Sequence, residues 1–294
     1  MSSIGALITE KNQQTEEFKQ QKAAERQELS EMAAAAIRAA TGQPEAYLRY
    51  LDVQADNPGF SASNILLALQ QNGAVTVFNT VNGWNKLGRS VTSGETGFKV
   101  RVSDPYVKNG KTHRGYKVGR AFDISQTTGN RAVGKVVLAD ETPEMQLALR
   151  ALLYKSPVKI STVKDGDLDA YYDPKNQLIH VSETLTDSQT LYALSREIFH
   201  ARIHDHGRYG GYNREELALD AESVAYMLCR SLGVPCRQPD ASRVAALYDG
   251  LEPQDARSIL DGIQGGFREL HDAVQKELAP SQQERRRGYS QPEK

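Results

Sequence analysis

The sequence predicts an α+β protein of about two domains. A chain of 294 residues, 39% hydrophobic and 25% charged, is long enough to bury two cores. Long segments rich in Ala, Glu, Gln and Lys predict helices. Short segments of alternating β-branched and aromatic residues, separated by Asn-Gly and Ser-Gly turns, predict strands.

The first predicted element is a helical N-terminal arm, residues 1–42. Glu, Gln, Lys, Arg and Ala dominate residues 10–40, Thr9 is a candidate N-cap, and Gly42 ends the helix. Its apolar stripe is thin and consists of Phe18, Leu29, Met32 and Ile37. We therefore expect residues 10–40 to be largely solvated or to contact a protein partner.

Residues 43–127 form the first predicted folded domain. Two short helices are expected within 45–71, on either side of a turn at 56–59. Alternating residues then predict strands at 75–78, 98–102 and 121–124. The polar segment 128–142 is the predicted linker.

Residues 143–278 form the second predicted domain. Its elements are expected in the order helix 143–154, strands 158–163, 170–173 and 178–181, and helices 187–204 and 214–231. Two amphipathic helices follow within 241–278. Pro, Gln, Glu and Arg dominate residues 279–294, which leaves nothing to bury, so this tail is expected to be disordered.

Composition excludes some classes of protein. The N-terminus lacks the basic-then-apolar order of a signal peptide, and no stretch approaches the ~18 apolar residues of a membrane span. Cys229 and Cys236 have no partner cysteines for a tetrahedral metal site. We expect a cytoplasmic protein with reduced thiols and no membrane partner. The net charge of −1 identifies no partner.

Positive charge is concentrated in residues 81–120. This segment holds nine Lys or Arg residues against two acidic residues, and Trp84, Phe98, Tyr106 and Tyr116 are interleaved with them. Cations bind a phosphate backbone and aromatic faces stack on unpaired bases, which favours single-stranded nucleic acid. The candidate binding residues are Trp84, Lys86, Arg89, Lys99, Arg101, Arg114, Lys117 and Arg120.

The alternative interpretation of this segment is structural. Lys99 and Arg101 alternate with Val100 and Val102, so the two cations share one strand face. That face could be the solvated edge of a small sheet, with Trp84 in the core beneath it.

Residues 194–200 read Leu-Ser-Arg-Glu-Ile-Phe-His and are almost a zinc-protease motif. In H-E-x-x-H, two histidines four residues apart bind zinc and the glutamate polarises the bound water. Glu197 and His200 fill two of these positions, as candidate catalytic base and metal ligand. Arg196 replaces the first histidine, and a guanidinium has no lone pair for a metal.

Nearby residues could supply further metal ligands. Glu222, on the next helix, is the acid expected to point inward, and His204, His206 and Asp220 are the weaker candidates. Alternatively, Arg196 fills the former metal site by pairing with Glu197, Asp220 or Glu222.

A lost ligand normally removes most of the affinity of a metal site, so we expect the cofactor, zinc, to bind weakly or not at all. We therefore expect hydrolysis to be absent or very weak. Replacing Arg196 with histidine is expected to increase zinc uptake, because it restores the pair of histidines four residues apart.

A series of different short motifs follows one another along most of the chain. In the N-terminal half they are residues 64–70, 84–91, 94–97 and 122–127, and in the C-terminal half they are 171–172, 196–200 and 221–226. Over about residues 45–275 the sequence resembles the ArdC/LtrC-like proteins of plasmids and other mobile elements.

The resemblance implies an N-terminal single-stranded-DNA-binding domain and a C-terminal zincin-like metallopeptidase domain of the ImmA/IrrE type. Arg196 departs from the family pattern, and so does Ala218, which lies near where relatives often have an acid. The prediction is therefore an anti-restriction-like, single-stranded-DNA-binding protein with an inactive zincin-like domain. The alternatives are an active zinc peptidase with non-standard ligands and a protein-interaction module that protects incoming DNA.

Overall fold

The computed structural model describes residues 4–129, 136–164, 168–205 and 212–288. Helices and small sheets are interleaved along the chain, so the predicted α+β class is confirmed. The chain forms two compact units. The first joins residues 1–39 with 66–130, and the second joins 40–65 with 131–294.

The units differ from the predicted division at 43–127. Helix α2 (Pro44–Asp56) belongs to the second unit, because its Tyr47 and Tyr50 are fully buried there. The Tyr47 hydroxyl lies 3.0 Å from the hydroxyl of Ser223. The sequence predicts the helix itself, but not which core its tyrosines enter.

The described part of the first unit is built from three α-helices, a 3-10 turn and several short strands. Its elements are α1 (Ile4–Thr41) and α3 (Ala62–Gln71), whose ends fall in the second unit, then β1 (Phe78–Asn79), α4 (Val81–Lys86), β2 (Arg89–Val91), β3 (Phe98–Ser103), β4 (Tyr106–Lys108), β5 (Lys111–His113), β6 (Tyr116–Asp123), a 3-10 turn (Ile124–Gln126) and β7 (Thr127–Gly129). Strands β1, β6 and β3 form an antiparallel sheet, β2 pairs with β7, and β4 pairs with β5.

Helix α1 starts before the predicted residue 10. The Thr9 hydroxyl donates to the Gly5 carbonyl (3.0 Å), so Thr9 lies inside the helix and the predicted N-cap is wrong. Residues 4–8 include no proline, so nothing prevents the helix from starting earlier. Near the other end, Leu29 and Ala33 form a buried cluster with Leu67 of α3.

The N-terminal half of α1 exposes several apolar side chains, which are Ile4, Leu7, Ile8 and Phe18. A protein partner bound through residues 10–40 therefore remains a prediction for this half. Leu29 and Ala33 contribute to the core of the first unit instead.

The second unit packs helices around a three-stranded sheet. After α2 its elements are α5 (Pro143–Lys155), β8 (Lys159–Val163), β9 (Ala170–Asp173), β10 (Leu178–Ser182), α6 (Asp187–Asp205), α7 (Ala218–Ser231), α8 (Val244–Tyr248) and α9 (Pro253–Gly288). The strand order is β8-β10-β9, with β8 parallel and β9 antiparallel to β10. This order makes β9 an edge strand.

Two helix ends differ from the sequence prediction. Helix α7 starts at Ala218 rather than near 214, and Arg214 lies before it. Helix α9 is continuous to Gly288, whereas a disordered tail is predicted from 279. Gln, Glu and Arg have high helix propensity, so a helix can continue there without burying an apolar face. The rest of the predicted tail, 289–294, lies outside the described residues.

Helix α6 is central to the second unit. Leu191, Leu194 and Ile198 are fully buried along it. Gly266 of α9 approaches it closely, because a Cβ built at Gly266 would lie 2.8 Å from the ring of Phe199. This close approach packs α9 against the helix that carries residues 196–200.

Across the ranges that the structure describes, no helix combines the length and the apolar character that a membrane crossing requires.

Candidate functional site

Helix α6 presents the altered zinc-protease motif to the interior of the second unit. Glu197 is fully buried and His200 is 1% exposed, while the side chain of Arg196 is 13% exposed. A buried carboxylate is stable only when it is paired and hydrogen-bonded, so its partners decide what it can do.

The carboxylate of Glu197 has a partner at each available position. Arg196 Nε donates to Oε1 and Arg214 Nη2 donates to the same oxygen, both at 2.7 Å. Arg214 Nη1 and the backbone N–H of Tyr172 donate to Oε2, also at 2.7 Å. Two guanidinium groups thus enclose one carboxylate, and Arg214 binds it in the bidentate geometry of strong arginine pairs.

The same side chains bind the edge strand β9. Its Tyr172 N–H is bound by Glu197, and its Ala170 carbonyl accepts a hydrogen bond from Arg196 Nη2 at 3.1 Å. Backbone groups of an edge strand are the ones to which an added peptide strand would pair. At Ala170 and Tyr172 these backbone groups are already hydrogen-bonded to Arg196 and Glu197.

Electrostatics keep Glu197 ionised. Burial by itself raises the pKa of Glu197, but the hydrogen bond from Arg214 and the charges of Arg214 and Arg196 outweigh it, so the net pKa lies below the ordinary value. A general base needs a pKa near the working pH, and this carboxylate is moved the other way.

His200 is buried beside this ion pair. Its Nδ1 has no hydrogen-bond partner in the described part of the chain, and its ring packs edge-on against Tyr212 at 5.9 Å. Burial lowers the pKa of His200 to about 4, since the attraction of Glu197 only partly offsets burial and the repulsion of Arg214 and Arg196. His200 is therefore neutral at pH 7.

The other predicted ligands do not converge on His200. His204 Nδ1 is hydrogen-bonded to the Tyr172 hydroxyl at 2.6 Å. Glu222 accepts from Arg237 Nη2 at 3.1 Å and from the Asp240 N–H at 3.4 Å. The predicted inward direction of Glu222 towards a metal is therefore wrong, because its arginine partner is on the loop after α7. His206 lies outside the described residues.

Asp220, the other acid predicted as a metal ligand, acts on the tyrosines of α2 and not on His200. Burial raises its pKa to about 7, and its charge acts on Tyr47 and Tyr50 of α2. The charges that act on His200 come from Glu197, Arg214 and Arg196 instead.

These residues do not fit a zinc ion. Within residues 4–129, 136–164, 168–205 and 212–288, no three His, Cys, Asp or Glu side chains are grouped as metal ligands. The carboxylate that would act on metal-bound water is bound by two cations, which oppose a dication by charge. The arrangement is a buried ion pair with a neutral histidine beside it.

Sequence reasoning missed Arg214, the strongest partner of Glu197. It lies outside any helix, ahead of α7, and no helical spacing relates it to residue 197. The predicted pairing of Arg196 with Glu197 is confirmed as one of the open alternatives.

The predicted nucleic-acid residue Trp84 is in the core of the first unit. It is fully buried, and its indole N–H donates to the Phe122 carbonyl at 2.9 Å. As a base-stacking residue this prediction is wrong, because its ring is covered and its polar atom is already satisfied.

Several of the predicted cations are held by the first unit itself. Lys99 pairs with Glu28 at 2.7 Å and Lys117 pairs with Asp104 at 2.9 Å. Arg120 donates to the Gly97 carbonyl at 2.6 Å, and Arg89 Nε donates to Thr127 Oγ1 at 2.8 Å. Of the remaining candidates, Arg101 is half-buried, while Lys86 and Arg114 are exposed.

The predicted binding face on β3 is partly covered. Lys99 lies opposite Arg120 and Arg101 lies opposite Val118, so the four residues share one face of the β3–β6 pair. Val118 packs against the cluster of Leu29, Ala33 and Leu67. Helices α1 and α3 therefore occupy part of the face on which a nucleic acid was expected.

A second basic surface is open, and we call it the β4–β5 ribbon (Tyr106–Lys108 and Lys111–His113). Every residue of its two strands is exposed. Asn109 and Gly110 join the strands with φ values of 51° and 71°, the positive pair that a tight type I′ turn needs.

The register of the ribbon brings aromatic and cationic groups to one face. Tyr106 lies opposite His113 and Lys108 opposite Lys111, while Val107 and Thr112 alternate to the other face. The rings of Tyr106 and His113 stack at 5.4 Å with 18° between their planes. The Asn-Gly turn was a signal from which this pairing could have been deduced.

The molecule is thus an α+β protein with an exposed basic and aromatic ribbon in one unit and an arginine-bound glutamate in the other. No family model and no curated protein sequence matches the chain.

Among solved structures, the chain is similar to two crystal structures of the antirestriction protein ArdC from the R388 plasmid. The metal-free one has 20% identity and a TM-score of 0.47, over 75% of this chain and 86% of that chain. The Mn(II)-bound one has 19% identity and a TM-score of 0.48, over 83% and 98%. At this level of similarity, nothing about metal, DNA or activity carries over to this chain.

Proposed function

We propose that this protein binds single-stranded nucleic acid, DNA in the first place, through the β4–β5 ribbon. The observation that carries the proposal is the face shared by the Tyr106–His113 stack and by Lys108 and Lys111. Tyr106 is 52% exposed, so its stack is open to a further planar group.

The chemistry favours a single strand over a duplex. Aromatic stacking needs the face of an unpaired base, and it is tolerant of sequence because every base has such a face. Lys108 and Lys111 lie next to the stack and can neutralise backbone phosphates, which carry no sequence information. The expected activity is therefore binding with weak sequence preference and strong salt dependence.

Tyr106→Ala is expected to weaken binding of a fluorescent oligothymidylate, measured by anisotropy. Loss of one base stack costs about 1–3 kcal/mol, which is roughly a 5- to 150-fold rise in Kd. The matched control is Tyr154→Ala, which removes a tyrosine that is 81% exposed on the second unit. Equal affinity of the two variants, or tighter binding of a duplex of the same length, would contradict the proposal.

Charge reversal tests the lysines separately from the stack. In Lys108→Glu/Lys111→Glu, the slope of log Kd against log salt should fall by about 1.4, since each single-strand phosphate contact contributes about 0.7. Lys159→Glu/Lys175→Glu makes the same change of charge at exposed positions of the second unit and should leave the slope unchanged. Lys99 is a poor test site because its reversal would also break the pair with Glu28.

For the second unit we propose a zincin-like scaffold whose motif has become a structural ion pair and does not hydrolyse peptides. What supports this is the number of donors on Glu197, which come from Arg196, Arg214 and the backbone of Tyr172. A carboxylate in this state has no oxygen left to orient a water molecule.

Zinc content tests this second proposal. The sequence alone predicts that Arg196→His increases zinc uptake. Because Arg214 binds both oxygens of Glu197, we now expect Arg196→His alone to take up little zinc and Arg196→His/Arg214→Ala to take up more. Atomic emission of protein purified without chelators measures both variants. Near-stoichiometric zinc in the unmodified protein, lost in His200→Ala, would instead favour a working metallopeptidase.

A further inference from the structure

The two cysteines of the chain lie together at the end of α7. Cys229 is in the last two turns of the helix and is fully buried. After the helix the chain turns at Gly233, whose φ is 65°, and the N–H of Val234 returns to the Cys229 carbonyl at 2.9 Å. Cys236 follows this turn, two residues after Val234; it is partly exposed and lies near Cys229.

The two thiols are close enough for each to shift the pKa of the other. A hydrogen bond between them, together with burial, raises the pKa of Cys229 well above its ordinary value. The same hydrogen bond lowers the pKa of Cys236, and the charge of Arg230 adds to this, although burial opposes both. Cys236 is therefore the thiol that more readily becomes a thiolate, which is the reactive form.

Cys236 also opens onto a cavity of about 250 Å³ in the second unit. Besides Cys236, the cavity is lined by Pro235 and by Asp169, Ser188, Gln189, Tyr192 and Arg237. Because Cys236 lines this space, small oxidants can approach it there, whereas Cys229 is covered. The pair thus has one accessible and one resolving thiol.

We propose that Cys229 and Cys236 form a redox-sensitive pair, which closes to an intrachain disulfide when the protein meets a hydroperoxide. Three features support it: the contact between the thiols, the turn that returns to α7, and the cavity at Cys236. Oxidation-sensitive cysteines are accessible, readily ionised and close to a resolving cysteine.

The chemistry balances with the hydroperoxide as the oxidant. The Cys236 thiolate attacks the terminal oxygen of the peroxide, the O–O bond breaks, and water or an alcohol leaves after protonation. The product is a sulfenic acid at Cys236. The Cys229 sulfur then attacks the Cys236 sulfur, the S–S bond forms, and the sulfenic hydroxyl leaves as water with the proton of Cys229.

The test treats the full native chain with hydrogen peroxide, denatures it, alkylates free thiols with a maleimide, and maps peptides by mass spectrometry. We expect a peptide linking Cys229 to Cys236 that has lost two hydrogens, and its release by dithiothreitol. In untreated native protein, Cys236 should react with the maleimide at least roughly ten-fold faster than buried Cys229. Two alkylated thiols after peroxide treatment, or a disulfide between two chains, would overturn the proposal.

Single substitutions separate the two roles. In Cys229→Ser the oxidised Cys236 has no resolving partner, so dimedone should trap its sulfenic acid. In Cys236→Ser the buried Cys229 should remain alkylatable after peroxide and denaturation. Circular dichroism checks that both variants fold. If Cys229→Ser failed to fold, the rate ratio in the unmodified chain would still decide, and equal rates would count against the proposal.

Discussion

Glu197→Gln is expected to lower the free energy of unfolding by about 3–5 kcal/mol, the usual cost of removing one partner from a buried ion pair. The guanidinium of Arg196 would stay buried without its counter-charge, and Arg214 would lose its bidentate partner. The glutamine would also turn an amide donor towards guanidinium donors. Urea denaturation followed by circular dichroism measures the change.

Glu222→Gln is the matched control for this substitution. It also removes a carboxylate from an arginine pair, but the side chain of Arg237 is 62% exposed, so the cost should stay below about 1 kcal/mol. If Glu197→Gln were as stable as Glu222→Gln, the ion pair would not have the structural role proposed here. Stability near the unmodified level with a metal-dependent activity lost would identify Glu197 as a catalytic base.

His200 is expected to make folding depend on pH between 6.5 and 4. Its pKa is lowered to about 4 in the folded protein, so between these values the unfolded chain binds the extra proton and the folded chain does not. The contribution of His200 to the free energy of unfolding is therefore fully present above pH 6.5 and is lost as the pH falls towards 4. About 2.5 pKa units correspond to about 3 kcal/mol.

Asp220 opposes this effect. Its pKa is raised to about 7, so the folded protein binds the extra proton and stability from this group falls as the pH rises from 3.8 towards 7. The two groups can leave the curve of the unmodified protein nearly flat. The informative quantity is the difference in unfolding free energy between the unmodified protein and His200→Gln.

That difference should shrink by about 3 kcal/mol as the pH falls from 7 to 4. Urea denaturation at several pH values measures it. Asp220→Asn should show the opposite trend, gaining stability relative to the unmodified protein as the pH rises. A His200→Gln difference that does not depend on pH would show that the imidazole titrates normally and is not buried beside two arginines.

Local patterns predicted most of the secondary structure, and the reasons are visible in particular elements. Helix α6 was predictable from its apolar residues, and strands β8 to β10 from their alternation and the turn between β9 and β10. The predicted ends of helices were wrong where no residue type marks the end of a helix. Thr9 can cap a helix but does not have to, and the Gln, Glu and Arg residues after 278 have a high helix propensity.

The candidate sites depended on tertiary contacts that no spacing encodes. Arg196 and Glu197 are neighbours in sequence, so their pairing could be anticipated, but Arg214 meets Glu197 only because the chain before α7 passes over α6. Composition located the basic segment, yet it could not distinguish Lys99, which pairs with Glu28, from Lys108, which is exposed. Trp84 is likewise a core residue, because its ring is buried and its indole N–H donates to the Phe122 carbonyl.

Photo-crosslinking tests most directly whether the β4–β5 ribbon contacts a single strand. An oligothymidylate carrying iodouracil bonds on irradiation to aromatic side chains stacked on the base, and mass spectrometry identifies the residue. The predicted result is attachment at Tyr106 or His113, the stacked pair on the ribbon, and its loss in Tyr106→Ala. Attachment to β3 or to the second unit, with none on the ribbon, would contradict the proposed interface.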